Sequence, residues 1–263
     1  MAVELKSADE IAIMREAGRI VALAHEAMRA AIRPGVSTWE LDQIAAAVFD
    51  DHKATPAFLN YPKPNAQPFP ATITASINTE LVHGIPSKDC VLREGDIVSL
   101  DTGCHFQGFV GDAAFSYAVG EVVPSVRNLL EVTEQALYEA IKASVMPNKI
   151  SDVAKAVQKY ASRHGYSVAQ EYTGHGVGRK MHEDPTVPNY WPSKSRLRQL
   201  RWHDYALQPG MVYAIEPMVI AGKPETVELD DDWTVVIKNG ALCAHFEHTI
   251  AITDGDPVIL TLP

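Results

Sequence analysis

Four carboxylates and one imidazole in this chain stand where charge is expensive. Asp101 follows the apolar run Ile97-Val98-Ser99-Leu100, and Asp112 lies between Val110-Gly111 and Ala113-Ala114-Phe115. Glu216 interrupts the near-continuous apolar run 211–220, and Glu247 sits in His245-Phe246-Glu247-His248-Thr249-Ile250. An acid in such surroundings is costly unless paired or bound to metal, and four that converged without cations would repel one another. His175, in Gly174-His175-Gly176-Val177-Gly178, offers a nitrogen ligand on what reads as a glycine-rich turn, whose slim backbone lets a ligand approach. Taken singly, each residue has an ordinary reading as a solvated strand-end acid or a loop histidine. As a set, Asp, Asp, His, Glu, Glu is oxygen-dominated with one imidazole and suits Mn, Fe, Co or Zn. Bridging carboxylates can hold two such ions about 3.5–4 Å apart, the arrangement of two-metal hydrolases. His83, in Val82-His83-Gly84-Ile85-Pro86, and His182, in Met181-His182-Glu183, add a candidate proton donor and oxyanion partner.

The elements that must position these groups are readable from periodicity. Ile13, Ala17, Ile20, Ala24 and Ala27 share one face of a helix over 9–30, and the Ser37/Glu40 capping-box spacing opens a second helix reaching about Phe49. Five prolines over 54–70 mark a loop. Strands are expected over 71–77, 97–101 and 109–118, then helices over 125–143 and 152–164, the latter capped by Ser151 and closed by Gly165. Strands resume as one element over 211–220 and as a hairpin in which Val235-Val236-Ile237 meets Ala241 onward across Asn239-Gly240, a pair favoured in type I′ turns. The order helix, helix, strands thus occurs twice. Gly210 and Glu216 each lie 115 residues after their counterparts Gly95 and Asp101. His83-Gly84-Ile85 likewise matches His175-Gly176-Val177. The reading is a single domain, 1–263, with an internal duplication of about 9–120 and 125–255, which places a site between the halves.

Composition removes other classes. With 33 acidic against 23 basic residues, a net charge of −10, the surface as a whole should repel nucleic acid and anionic lipid. The cysteines, Cys90, Cys104 and Cys243, are too few for a disulfide framework or a thiolate zinc site, so a reducing compartment is expected. No secretory signal and no membrane-length apolar run is present, and the expected location is cytoplasmic.

The runs Ser99-Leu100-Asp101-Thr102-Gly103, Gly111-Asp112, Thr173–Gly178 with Met181-His182-Glu183, Ile215-Glu216-Pro217-Met218 and Phe246-Glu247-His248-Thr249 resemble, in this order and across nearly the whole chain, the type I methionine aminopeptidases of the M24 metallopeptidases. The resemblance implies an α+β pita-bread fold: two αα-β halves, related by a pseudo-twofold, around a dinuclear centre. It also implies roles. Asp101 is expected on one ion, His175 and Glu216 on the other, with Asp112 and Glu247 bridging. Glu216 is expected to accept the proton of the attacking water, His182 to stabilise the oxyanion, and His83 to contact the scissile amide. The expected substrates are nascent polypeptide N-termini whose initiator Met precedes a small residue, the thioether being received by Tyr61, Phe69, Met181 and Trp233. Met181 stands where that family usually has an aromatic, and the stretch Pro62–Pro68 is longer than usual.

Relatives with other functions fit less well. Prolidases and aminopeptidases P resemble longer chains with a domain ahead of the first ligand, for which Asp101 comes too early. Non-catalytic pita-bread binding proteins have lost ligands, and all five remain here. Residues 191–204 read as a lengthened loop carrying Lys194, Arg196, Arg198 and Arg201, a candidate contact with ribosomal RNA near the nascent-chain exit. Nothing in the sequence requires a dimer.

Overall fold

A reciprocal Ser7/Glu10 capping box, which the sequence reading missed, starts α1 (Ala8–Ala31), and the Ser37/Glu40 box starts α2 (Thr38–Asp51) as expected. The computed structural model describes residues 3–263. The first half continues through β1 (Thr55–Pro56), β2 (Ile73–Ile77), β3 (Glu80–Val82), β4 (Ile97–Phe106) and β5 (Phe109–Ala118). β4 pairs antiparallel with β1, β2 and β5. Phe106 faces Phe109 across Gln107-Gly108, whose φ values of 48° and 83° are those of a type I′ turn. Of the apolar stripe of α1, Ala17, Ile20 and Ala24 are fully buried, as is Val21 beside them, while Ile13 and Ala27 at its two ends are partly buried, with α1 packed along β4 and β5.

The second half opens with α3 (Pro124–Ala143) and α4 (Ile150–Arg163). The cap of α4 is Lys149, not Ser151: the extended Lys149 donates its N–H to Asp152 Oδ2 (3.0 Å). Ser151 lies inside the helix, its N–H bound by Asp204 Oδ1 (2.9 Å). There follow β6 (Ser167–Val168), β7 (Thr173–Gly176), β8 (Glu183–Pro188), a short helix α5 (Lys194–Leu200), β9 (Val212–Ile215), β10 (Met218–Ile220), β11 (Thr226–Glu228), β12 (Val235–Ile237), β13 (Cys243–His245), β14 (His248–Ala251) and β15 (Val258–Ile259). They form three sheets, β15-β14-β9-β7-β8, β13-β10-β6 and β11-β12-β3.

Three sequence expectations are corrected here. The run 211–220 is two strands in two sheets, parted at Glu216-Pro217, because proline has no N–H to give a central ladder. The strand opposite breaks at the same level: Ile215 pairs with His248 and Met218 with His245, leaving Phe246-Glu247 between β13 and β14. The hairpin at Asn239-Gly240 does not form. β12 pairs with β3 and β11 while β13 pairs with β10, and only Gly240 of the turn pair has a positive φ (73°), its N–H returning to Ile237 O (2.9 Å). The 191–204 segment contains α5, none of whose residues is buried. No helix among the described residues is long and apolar enough to cross a membrane.

Candidate active site

His175 lies not on a turn but on β7, between β8 and β9, where the register with β8 shifts between His175 and Gly176. Its neighbouring glycines serve strand packing rather than ligand access: a Cβ on Gly174 would meet Ala214 O at 2.4 Å, and one on Gly176 would meet Asp184 O at 2.1 Å. Asp101 on β4 and Asp112 on β5 share a sheet face, because Asp101 pairs with Ala114 and Asp112 with Gly103. Glu216 and Glu247 occupy the two facing strand breaks, where Glu247 N–H donates to Ala114 O (2.7 Å) and Phe246 N–H to Pro217 O (3.2 Å). A continuous strand at either place would keep the residue in the ladder's alternation, so the breaks are what free these carboxylates to turn inward.

The result is a cluster of acids around neutral imidazoles. His175 Nε2 is 3.6 Å from both Asp112 Oδ2 and Glu216 Oε1, and His245 Nε2 is 3.6 Å from Glu216 Oε2. Those separations are too long for hydrogen bonds but suit ligands sharing a cation. Ligand atoms of Asp112, His175 and Glu247 all lie within 4.8 Å of one another. Asp101 Oδ1, Asp112 Oδ1 and Glu247 Oε1 are buried with no hydrogen-bond partner among the described residues, a costly condition that divalent cations relieve.

Burial, followed by repulsion from Asp112, holds Asp101 well above the usual carboxylate range. Glu216 and Glu247 are raised for the same reasons, burial first and neighbouring acids next. Burial also pushes Asp112 up to about 7, against the lowering effect of its hydrogen bond with Glu247. It brings His175 down to about 3, helped by His182, and His83 down to about 4. His175 is therefore a neutral donor at working pH, and cation binding must expel protons from the acids.

All eleven side chains singled out from the sequence line one cavity of about 310 Å³. The four acids and His175 line it together with Phe69, Met181 and Trp233, which belong to an apolar wall, with Phe69 and Trp233 edge-on at 5.1 Å. His83, in the left-handed region at φ 62°, holds its ring nearly perpendicular to those of Tyr172 (5.8 Å) and Trp233 (6.3 Å). Tyr61 does more than line the wall. Its hydroxyl lies 2.7 Å from His182 Nδ1, and the His182 ring is 4.2 Å from that of His175. Two rim loops are tied across the mouth: Trp233 Nε1 donates to Gln67 O (2.9 Å), and Lys63 Nζ donates to Glu228 Oε2 and to Asp232 O while lying 5.1 Å over the Trp233 ring. Sequence reasoning missed Phe58, Thr74, Tyr172 and His245, which also line the cavity. The position of His245 two residues before Glu247 was a usable signal. Thr74 carried none, since only the β2–β4 register sets it opposite Asp101.

A buried acid-and-imidazole cluster at a seam between sheets, opening under an aromatic rim, defines a metal-dependent hydrolase site. The chain belongs to metallopeptidase family M24, whose family model matches residues 12–254, and its fold is the pita-bread fold of that family. It is 46% identical to methionine aminopeptidase 1 of Bacillus subtilis over 97% of this chain and 98% of that one, and 37% identical to methionine aminopeptidase of Escherichia coli over 100% and 95%. The crystal structure of methionine aminopeptidase from Thermotoga maritima superposes with a TM-score of 0.93 at 38% identity, covering 100% of both chains. A prolidase from Pyrococcus furiosus shares the fold at a TM-score of 0.75 and 21% identity, with 98% of this chain matching 65% of that one.

Proposed function

We propose that this protein is a methionine aminopeptidase that removes the initiator Met from nascent polypeptides whose second residue is small. The observation that carries this is the convergence of five metal-ligand side chains and two histidines on one cavity with an apolar, sulfur- and aromatic-bearing wall. Asp101, Asp112, His175, Glu216 and Glu247 are the residues that would hold two divalent ions of Co, Mn, Fe or Zn. When bound, such ions acidify water and polarise a carbonyl. The remaining work falls to the chain. Glu216 accepts the proton of the nucleophile. His182 presents its Nε2 side to the developing oxyanion while Tyr61 engages Nδ1. His83 contacts the scissile amide and returns a proton to the leaving amine. Phe69, Met181, Trp233 and the ring of Tyr61 enclose the thioether, a soft side chain well matched to Met and aromatic neighbours.

Hydrolysis of Met-Ala-Ser, with Met-Lys-Ser scarcely cut and Ala-Pro untouched, is the expected result for chelator-stripped protein resupplied with each metal in turn. Comparable rates on Ala-Pro and Met-Ala-Ser would move the assignment to the prolidase branch. We also infer that residues 1–263 are one catalytic domain built by duplication. In support, the N-cap residues Ser37 and Lys149 bridge to Val91 and Ala206, which precede the equivalent turn glycines Gly95 and Gly210, both at φ 90°. The protein is proposed to act as a cytoplasmic monomer, with the exposed basic residues of 191–204 touching ribosomal RNA near the exit of the nascent chain. Equal ribosome co-sedimentation of the protein and a Lys/Arg-to-Glu variant of that segment at low salt would remove the ribosome contact.

A further inference from the structure

His25 is a buried imidazole on α1, only 3% exposed, with no place in the chemistry above. Its Nε2 lies 2.8 Å from Ala113 O and must donate to that carbonyl, which leaves Nδ1 a bare lone pair with no partner among the described residues. Burying an imidazole on those terms is costly, and an apolar side chain would fill the space without that cost. What the position gains is a hold on one peptide. The carbonyls of three successive residues of β5 accept hydrogen bonds from outside its own sheet: Asp112 from Thr249 Oγ1 on β14 (2.8 Å), Ala113 from His25 on α1 (2.8 Å) and Ala114 from the N–H of Glu247 in the break before β14 (2.7 Å). α1 also rests directly on β5 at Gly111, where a Cβ would come within 2.6 Å of the Ala17 carbonyl carbon and Gly18 N. The helix therefore touches β5 on both sides of Asp112. The Asp112 carboxylate has one oxygen without a partner among the described residues and is tied otherwise only to Glu247, another acid of the cluster, so the backbone that carries it is where the rest of the fold can act on it.

We propose that His25 is a positioning residue for Asp112: by fixing the Ala113–Ala114 peptide, one residue beyond it and next to the Asp112 carbonyl that Thr249 holds, His25 keeps the carboxylate ready for divalent cations. The proposal rests on the metal-centre reading of the site. Its test is calorimetric titration of the chelator-stripped protein with MnCl2, read together with the melting temperature of the metal-free form. His25→Leu should bind Mn2+ about tenfold more weakly, in the range found for groups that orient metal ligands, while melting metal-free at or above the temperature of the unaltered protein. His25→Gln, whose amide N–H can reach the carbonyl, should recover most of the affinity, and Thr249→Val, which loses the bond to Asp112 O, should weaken binding as His25→Leu does. Undiminished Mn2+ affinity in His25→Leu, or His25→Gln binding no better than His25→Leu, overturns the proposal. If His25→Leu does not fold, His25→Asn, too short to reach Ala113, takes its place against His25→Gln with the same two outcomes. Failure of the unaltered protein to bind Mn2+ at all would instead overturn the metal-centre reading, and this inference with it.

Discussion

The Tyr61 hydroxyl lies 2.7 Å from Nδ1 of His182, so the wall of the cavity and its proton chemistry meet in one hydrogen bond. Burial, with a further contribution from Asp112, raises the Tyr61 phenol above its ordinary value, which keeps its O–H available as a donor. A donor on Nδ1 leaves the hydrogen of neutral His182 on Nε2. Tyr61→Phe keeps the ring and loses the bond. Steady-state kinetics on Met-Ala-Ser should show kcat reduced about tenfold with KM little changed, and the loss should vanish in a His182→Ala background. A raised KM with unchanged kcat would reduce Tyr61 to a wall residue.

The metal-free protein should grow more stable as pH falls. Asp101, Glu216 and Glu247 are raised well above their ordinary values and Asp112 reaches about 7, so in each case the protonated form is the one that folding favours. Stability from these groups is fully present below their unfolded values and is lost as pH rises through the folded ones. Differential scanning calorimetry in chelator should therefore show a higher melting temperature at about pH 5 than at about pH 8, provided the histidines, whose linkage runs the other way, contribute less. With MnCl2 the trend should reverse, because protons compete with the cation. A flat chelator profile would mean that the carboxylates do not repel one another.

Asp112→Asn separates catalysis from stability. It should abolish turnover, with a loss of about a thousandfold or more, since bridging of two ions requires a carboxylate. It also removes one member of a mutually repelling set, so at about pH 8 the metal-free variant should melt above the unaltered protein. Retained turnover would refute the two-metal centre.

Lys63→Met tests the tie between the rim loops. The substitution keeps an apolar stem near Trp233 but loses the contacts to Glu228 and Asp232. Exposed ion pairs contribute roughly 0–1 kcal/mol, so global stability should hardly move. The effect should fall on the wall: KM for Met-Ala-Ser up about threefold and the preference for Met over Leu narrowed, within the few kcal/mol that apolar pockets discriminate. Unchanged selectivity would make the tie ornamental.

The helices were legible because their apolar faces repeat with helical period, and the acids that converge on the cavity were legible because charge stands out in apolar strands. What escaped was set by partners distant in sequence. The apolar run around Glu216 reads as one strand until Pro217 is weighed as a residue that cannot serve a central ladder. The Asn239-Gly240 pair suits a hairpin, yet β12 is claimed by β3 and β11, and the type I′ turn forms instead at Gln107-Gly108, which carries the weaker signal. Likewise His25 looks like any polar residue on the margin of a helical stripe, and only the approach of α1 to β5 reveals where its Nε2 lands.

Asp101, Asp112, His175, Glu216 and Glu247 come from β4, β5, β7 and two strand breaks spread from position 101 to 247 of a 263-residue chain. No fragment that stops short of position 247 holds all five. If these five residues hold the ions, a chain that stops short of position 247 lacks a complete set and should not hydrolyse peptides.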